Sequence, residues 1–89
     1  GIGACGELNT ADEFVGAMNV QQFGVYANPN NAPICNMCVK ITGPKGTVKI
    51  KIVDKCPTCE FGDIDLSPVA FKVIGDEFQG RIPISWEGC

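Results

Sequence analysis

The sequence predicts a small, mainly β domain that is held together by disulfides and carries one or two short helices. Three observations predict it: a chain of 89 residues, six cysteines, and a stretch, Thr47–Val53, in which apolar residues alternate with lysines. Alternation with a period of two is typical of a half-buried strand. A core of this size is marginal on its own, and an even number of cysteines at this density is typical of secreted, disulfide-bonded domains.

The strand Thr47–Val53 forms the second half of a predicted β-hairpin. The segment Gly43–Gly46 (GPKG) has the composition of a four-residue turn, and Val39–Thr42 before it is the expected partner strand. Two further short strands are predicted at Val15–Met18 and Ile82–Trp86. The proline in the last of these places it at a sheet edge or a bulge.

A short helix is predicted to follow Ser67, which is a favourable N-cap residue. Pro68 suits the first helical position, and Gly75 suits the C-terminal stop. Phe71 lies three residues before Ile74, so both side chains are expected to face the core.

Composition excludes several classes of function. The formal net charge is −3 and the seven basic residues are scattered, so nucleic acid is not an expected partner. No apolar run approaches the roughly 18 residues of a membrane helix. Histidine is absent, which leaves acid–base chemistry to carboxylates, Tyr26 or lysines. We expect a monomer without a cofactor. The cysteines indicate a secreted protein, and, since the sequence contains no signal peptide, we expect this to be its processed form.

Two Cys-x-x-Cys pairs leave three interpretations open. The pairs Cys35/Cys38 and Cys56/Cys59 are separated by 17 residues, which is the spacing of a four-cysteine zinc ribbon. A redox dithiol would need a cysteine at a helix N-terminus, whereas acids and turn residues follow Cys59. Three disulfides and no metal is the favoured interpretation, because zinc would leave two cysteines over. Spacing does not select among the possible pairings.

Four segments resemble the RlpA-like double-psi β-barrel superfamily, which includes expansins, barwin and the small fungal loosenins. They are Gly3–Gly6 (GACG), Val53–Pro57 (VDKCP), Gly62–Phe71 (GDIDLSPVAF) and Gly80–Trp86 (GRIPISW), in the order and spacing of the family. The spacing looks most like that of the fungal single-domain members. The resemblance implies one domain, residues 1–89, folded as a six-stranded double-psi β-barrel with a shallow groove. Family members usually carry an aromatic-rich strand before GACG, and we expect this domain to lack it.

The resemblance also implies a disulfide pattern. We predict Cys5–Cys35, Cys38–Cys89 and Cys56–Cys59, of which the first two follow the pattern of expansin-type barrels.

The function that the resemblance implies is a secreted, extracellular protein that binds cell-wall polysaccharide and loosens it without hydrolysis. The polymer would be cellulose, chitin or peptidoglycan. The alternative is an inhibitor of papain-like cysteine proteases, or a secreted defence or effector protein, that uses the polar loop 24–34 beside Cys35. A lytic enzyme is the third hypothesis.

Two aspartates are candidate site residues. Asp65 lies between Ile64 and Leu66 and would point away from both in a strand. It is interpreted either as a partly buried groove acid or as a carboxylate bonded to amides at the helix start. The resemblance implies the first, because hydrolytic relatives have their general acid at this position. Asp54 is the nearest second carboxylate for a glycosidase pair, whose carboxyl groups lie roughly 5–9.5 Å apart. Otherwise Asp54 is a turn residue or forms an ion pair with Lys55 or Arg81. Without a clear base, the sequence favours a binding protein over an enzyme.

Aromatic residues are the expected stacking surface for sugar rings. Tyr26, in the polar loop, is the better exposed candidate. Trp86 lies in a predicted strand, so it is interpreted either as a stacking residue or as part of the core, and Phe23 and Phe61 are further candidates. Phe14 is assigned to the core.

Overall fold

The computed structural model describes residues 2–89. The strands are β1 (Val15–Asn19), β2 (Cys38–Gly43), β3 (Gly46–Cys56), β4 (Ile64–Leu66) and β5 (Ser85–Gly88). The helices are α1 (Val20–Phe23) and α2 (Pro68–Ile74), with 3-10 turns at Pro29–Asn31 and Glu77–Gln79. Among the described residues, no helix has the length and apolar character needed to cross a membrane.

The strands form one sheet in the order β4-β1-β3-β2-β5. β1 runs parallel to β3, and the other neighbouring pairs are antiparallel. The predicted mainly β domain with short helices is therefore confirmed. Residues 2–89 contribute five strands to this sheet, so the sixth strand and a closed barrel stay predictions.

Strand β3 forms the centre of the core because its side chains alternate. Ile50 and Ile52 are buried, whereas Lys49 and Lys51 are exposed on the other face. Each buried aliphatic side chain of this size stabilises the fold by about 1.5–3 kcal/mol. The register between β1 and β3 then skips Val53, which marks a bulge. A bulge bends the strand and re-aims the side chains that follow it.

Two predicted strand boundaries are wrong. The β2–β3 hairpin pairs Gly43 with Gly46, so its turn contains only Pro44 and Lys45 rather than four residues. β5 begins at Ser85 rather than at residue 82. The reason for the second difference is the proline at position 83, which has no N–H to donate to a neighbouring strand.

Helix α2 begins after Ser67, as predicted. The Ser67 hydroxyl accepts a long hydrogen bond from the backbone N–H of Val15 (3.5 Å) instead of capping the helix. Ile74 is fully buried, while Phe71 is half-buried. Phe14 is 47% exposed, and its assignment to the core is wrong because it precedes β1 and lies outside the sheet.

All six cysteines are paired, and the pairing is the one predicted. The Cα–Cα distances are 5.6 Å, 5.3 Å and 5.4 Å for Cys5–Cys35, Cys38–Cys89 and Cys56–Cys59. These distances are normal for disulfides. The four cysteines of the zinc interpretation are thus distributed over three separate bridges, and neither a zinc ribbon nor a dithiol is formed.

Candidate functional site

A groove of about 300 Å³ opens beside β4. The Cys-x-x-Cys turn, β4, α2 and the segment before β5 all contribute to its walls. The lining residues are Cys56, Thr58, Cys59, Asp63, Ile64, Asp65, Leu66, Phe71, Gly80, Arg81, Ile82 and Ile84. We call this the Asp65 groove.

Asp65 supplies a free carboxylate to the groove. Its neighbours Ile64 and Leu66 contact the core cluster, as the strand period requires, and Asp65 points the other way. The Asp65 side chain is exposed, so the expected partial burial is wrong, because β4 is an edge strand. It accepts no hydrogen bond from residues 2–89, and the alternative bond to helix amides is therefore not formed.

Asp54 lies in the same row of the sheet as Asp65 but has a different environment. Both pair with Ala17, from opposite sides, so their backbones lie two strand spacings apart, roughly 9.6 Å. Asp54 Oδ1 accepts hydrogen bonds from the backbone N–H groups of Ala4 (2.7 Å) and Lys55 (2.8 Å). The structure does not place Asp54 among the groove-lining residues.

The GACG segment lies directly on β3, which explains its first glycine. A Cβ atom on Gly3 would lie 2.6 Å from the carbonyl oxygen of Val53, closer than real Cβ contacts come. The backbone N–H of Cys5 donates to that same oxygen at 3.2 Å. The hydrogen bond from Ala4 to the Asp54 carboxylate therefore adds to a contact that the GACG segment already makes with β3.

The turn at residues 60–63 forms one rim of the groove, and side chains from distant elements hold its backbone. Gly62, with a φ of 88°, donates its N–H to Gln22 Oε1 (3.1 Å). Its carbonyl oxygen accepts a hydrogen bond from Trp86 Nε1 (2.8 Å). The Cys56–Cys59 disulfide directly precedes this turn in the chain. The rim is therefore rigid before any ligand binds.

Asn19 is the buried polar side chain behind this rim, with no exposed surface. Its Nδ2 donates to the carbonyl oxygen of Asp63 (3.0 Å) and to Gln22 Oε1 (2.7 Å). Its Oδ1 accepts from the Gln22 N–H (3.0 Å) at the start of α1. A buried amide is stable only when it is hydrogen-bonded, so the residue fixes the position of the rim.

An ion pair crosses the rim of the groove. Arg81 Nη2 donates to Asp63 Oδ2 at 2.8 Å and lies 4.0 Å from Glu60 Oε2. The hydrogen bond from Arg81 holds the pKa of Asp63 below its ordinary value, and the bond from the Glu60 N–H acts in the same direction. The pKa of Arg81 is raised by the same pair. Asp63 is thus a second groove carboxylate, but one that already has a partner.

Comparison with known proteins gives the same family as the sequence motifs. The family model described as lytic transglycolase, a double-psi β-barrel family, matches residues 4–86. The chain belongs to the RlpA-like double-psi β-barrel family. The resemblance drawn from the four motifs is thereby confirmed.

Two kinds of relative match this double-psi β-barrel domain over nearly its whole length. The papain inhibitor of Streptomyces mobaraensis is 31% identical over 90 residues, which cover 98% of this chain and 62% of that protein. The solved structure of a Streptomyces papain inhibitor superposes with a TM-score of 0.88 at 32% identity, covering 99% of this chain and 82% of the other. A mutant Clavibacter michiganensis expansin in complex with cellohexaose superposes with a TM-score of 0.84 at 34% identity, covering 98% and 41%. The domain therefore spans less than half of that expansin.

The aromatic candidates lie outside the Asp65 groove of this double-psi domain. Trp86 is half-buried, packs against the core and uses its indole N–H within the fold. Tyr26 is 40% exposed, but a Cβ on Gly24 would lie 2.8 Å from its ring, so the ring folds back onto its own loop. Phe23 is buried. Of the four predicted binding residues, the structure places only Asp65 in the groove.

Sequence reasoning missed the apolar and basic parts of the groove. Ile82 and Ile84 were assigned to a strand, but they lie in irregular chain and line the groove beside Phe71. Arg81 was considered only as a partner of Asp54. The available signal was the alternation Ile82-x-Ile84 after a basic residue, which places apolar side chains on one side of an extended segment.

The Arg81–Asp63 pair predicts a dependence of stability on pH. A carboxyl group with a lowered pKa in the folded state stabilises the fold above its unfolded value, about 3.9, and this contribution is lost as the pH falls through the folded value. Arg81→Gln is expected to bring the Asp63 pKa back towards its ordinary value. The measurement is the Asp63 carboxyl titration by NMR in both proteins. Equal titration midpoints would show that the ion pair does not form in solution.

Proposed function

We propose that this protein binds a linear cell-wall polysaccharide in the Asp65 groove and does not cut it. The observation that carries the proposal is that the three carboxylates near the groove differ in their hydrogen-bond partners. The Asp65 carboxylate is free, whereas Asp54 is bonded to backbone amides and Asp63 to Arg81. A two-carboxylate glycosidase needs both groups available to substrate and water.

The groove chemistry suits a neutral sugar strand. Sugar hydroxyls donate hydrogen bonds to a free carboxylate, and charge-assisted bonds of this kind are the stronger ones. Phe71, Ile82 and Ile84 offer apolar surface to the C–H face of a pyranose ring. Cellulose, chitin and the glycan strands of peptidoglycan all present both features.

Two further observations support the proposal. The related Clavibacter michiganensis structure is of an expansin with cellohexaose bound. Three disulfides in 89 residues are typical of proteins that work outside the cell, where such polymers are found. We therefore propose an extracellular protein.

The test is retention on insoluble cellulose, chitin and peptidoglycan. Asp65→Asn keeps the shape of the side chain and removes its charge, and we expect about tenfold weaker retention on the preferred polymer. Asp12→Asn, at an exposed position outside the groove, is the matched control and is expected to behave as wild type. Equal retention of both variants would contradict the proposal.

Cleavage is measured in the same samples. A lone carboxylic acid is able to protonate the leaving glycosidic oxygen. The resulting carboxylate is able to take the proton of a hydroxyl of the same sugar unit, while the oxygen of that hydroxyl bonds to the anomeric carbon, which gives an anhydro end instead of a new reducing end. Mass spectrometry of soluble products therefore accompanies the reducing-sugar assay. Binding without soluble fragments is the expected result, and fragments that disappear in Asp65→Asn would make the protein an enzyme.

A second candidate function, inhibition of a papain-like cysteine protease, rests on the loop 24–34. Val25 is 99% exposed, and several contacts hold the part of the loop that follows it. Asn28 Oδ1 accepts from the Asn30 N–H (3.1 Å), Ala32 is buried, and the Cys5–Cys35 bridge closes the loop. An apolar side chain presented on a rigid loop suits insertion into a partner's pocket. Val25→Asp is expected to abolish inhibition of papain if this function is present, and Asp65→Asn to leave it unchanged.

A further inference from the structure

A second depression adjoins the Asp65 groove and shares the Arg81–Asp63 ion pair with it. Its volume is about 600 Å³. It shares Asp63, Arg81, Ile82 and Ile84 with the groove and adds Phe61, Gly62 and Pro83. The two depressions are therefore parts of one continuous surface, and the ion pair contributes to the walls of both.

Phe61 forms an aromatic wall of the second depression, and hydrogen bonds hold the backbone of the turn that carries it. Its side chain is 71% exposed, and an exposed aromatic ring alone would need no explanation. The backbone on both sides of it is fixed, however. The Asp63 N–H donates to the carbonyl oxygen of Glu60 (3.0 Å), and both polar groups of Gly62 are bonded to the side chains described above. A turn held in this way loses little backbone freedom when its aromatic side chain binds a ligand.

The charge of the second depression is balanced. Its ionisable side chains are Asp63 and Arg81, which neutralise each other at 2.8 Å. Arg81 has five N–H donors, of which the Asp63 contact uses one. The depression therefore offers an aromatic face, the apolar ring of Pro83 and spare hydrogen-bond donors, without net charge. An uncharged sugar ring, with one C–H face and hydroxyl acceptors at its edge, matches all three.

We propose that Phe61, Arg81 and Pro83 form a second subsite, which holds further uncharged pyranose units of the polysaccharide strand that occupies the Asp65 groove. The inference rests on the proposed function, because one polysaccharide strand must occupy both the Asp65 groove and the second depression. In this arrangement Asp65 binds the hydroxyls of one part of the strand, and Phe61 stacks on a ring in the adjoining part. Chain length of the glycan then becomes a determinant of affinity.

The experiment is a length series by calorimetry. It uses soluble oligosaccharides, from disaccharide to hexasaccharide, of the polymer that retains wild-type protein. Phe61→Ala is expected to bind the hexasaccharide about fivefold more weakly, or worse, and the disaccharide as wild type does. Phe78→Ala is the matched control, because Phe78 is 89% exposed and lines neither depression. It is expected to follow wild type at every length.

Other outcomes overturn the inference in distinguishable ways. If Phe61→Ala equals wild type at every length while Asp65→Asn is weakened, the second subsite does not exist and the proposed function stands. If Phe61→Ala loses the same factor at every length, the substitution disturbs the Asp65 groove and Phe61 is no separate subsite. If wild type binds no oligosaccharide and no polymer, the proposed function and this inference fail together. Thermal unfolding of Phe61→Ala, expected to match wild type, shows that the variant is folded.

Discussion

Asp54→Ala is expected to lower the free energy of unfolding by about 2–4 kcal/mol. The Asp54 carboxylate is part-buried and accepts from two backbone N–H groups, those of Ala4 and Lys55. Its removal leaves both donors without that partner and releases the GACG loop from β3. Asp54→Asn keeps an acceptor oxygen and is expected to lose less. Urea unfolding of the two variants beside wild type measures the difference.

The matched comparison for Asp54 is Asp65→Ala. Because Asp65 is exposed and unbonded within residues 2–89, its loss is expected to change stability by no more than about 0.5 kcal/mol while weakening polysaccharide binding. The two aspartates flank Ala17 in one row of the sheet. We nevertheless expect Asp54→Ala to affect mainly stability and Asp65→Ala to affect mainly polysaccharide binding. A stable Asp54→Ala variant that no longer binds polysaccharide would place Asp54 in the site and revive a carboxylate pair.

Removal of the Cys5–Cys35 bridge has a similarly large expected effect. The sequence separation of 30 residues gives a loss of about 3.7 kcal/mol in the chain-entropy account for the double Cys→Ala variant. The Cys56–Cys59 bridge, with a separation of 3, gives about 2 kcal/mol and serves as the control. Denaturant unfolding of both double variants measures these losses. The opposite order of stability would show that strain or residual structure, rather than loop closure, dominates.

Binding is expected to reverse that order. The Cys56–Cys59 bridge lines the Asp65 groove and directly precedes the turn at residues 60–63, which carries Phe61 and Asp63, so its removal is expected to weaken polysaccharide retention at temperatures where the variant is folded. The Cys5–Cys35 bridge is distant in sequence from that turn and anchors the loop 24–34 instead. Its removal is expected to spare retention and to reduce any inhibition of papain. Loss of retention in folded Cys5→Ala/Cys35→Ala alone would contradict this assignment.

The two candidate functions use different residues. No residue of the loop 24–34 lines the Asp65 groove or the second depression. The substitutions Asp65→Asn and Val25→Asp therefore test them independently, and the fold is compatible with either alone. This separation follows from the topology, in which the groove forms beside an edge strand and the loop follows α1.

Local patterns predicted the elements well because their causes are local. The alternation of lysines and apolar residues fixed β3 and its hairpin, and Ser67-Pro68 fixed the start of α2. The direction of Asp65 followed from the strand period alone. The boundary errors at the hairpin turn and at β5 are also local, since they depend on which glycine pairs and on the missing N–H of Pro83.

The rest of the site escaped prediction because its contacts join distant parts of the chain. Arg81 and Asp63 are 18 residues apart, and Asn19 and Asp63 are 44 apart. Trp86 was a candidate for stacking on sugar rings, but its indole N–H donates to the carbonyl oxygen of Gly62, 24 residues away. Periodicity says which face a side chain takes, but not which distant group it meets there.

The most direct test of polysaccharide binding in the Asp65 groove is an NMR titration of labelled wild-type protein. The ligand is a soluble hexasaccharide of the polymer that retains the protein. We expect amide shifts in β4 and in Gly80–Ile84, with a shift of the single indole N–H, that of Trp86, as the rim responds. Shifts confined to the loop 24–34, or none at all while papain shifts that loop, would contradict it.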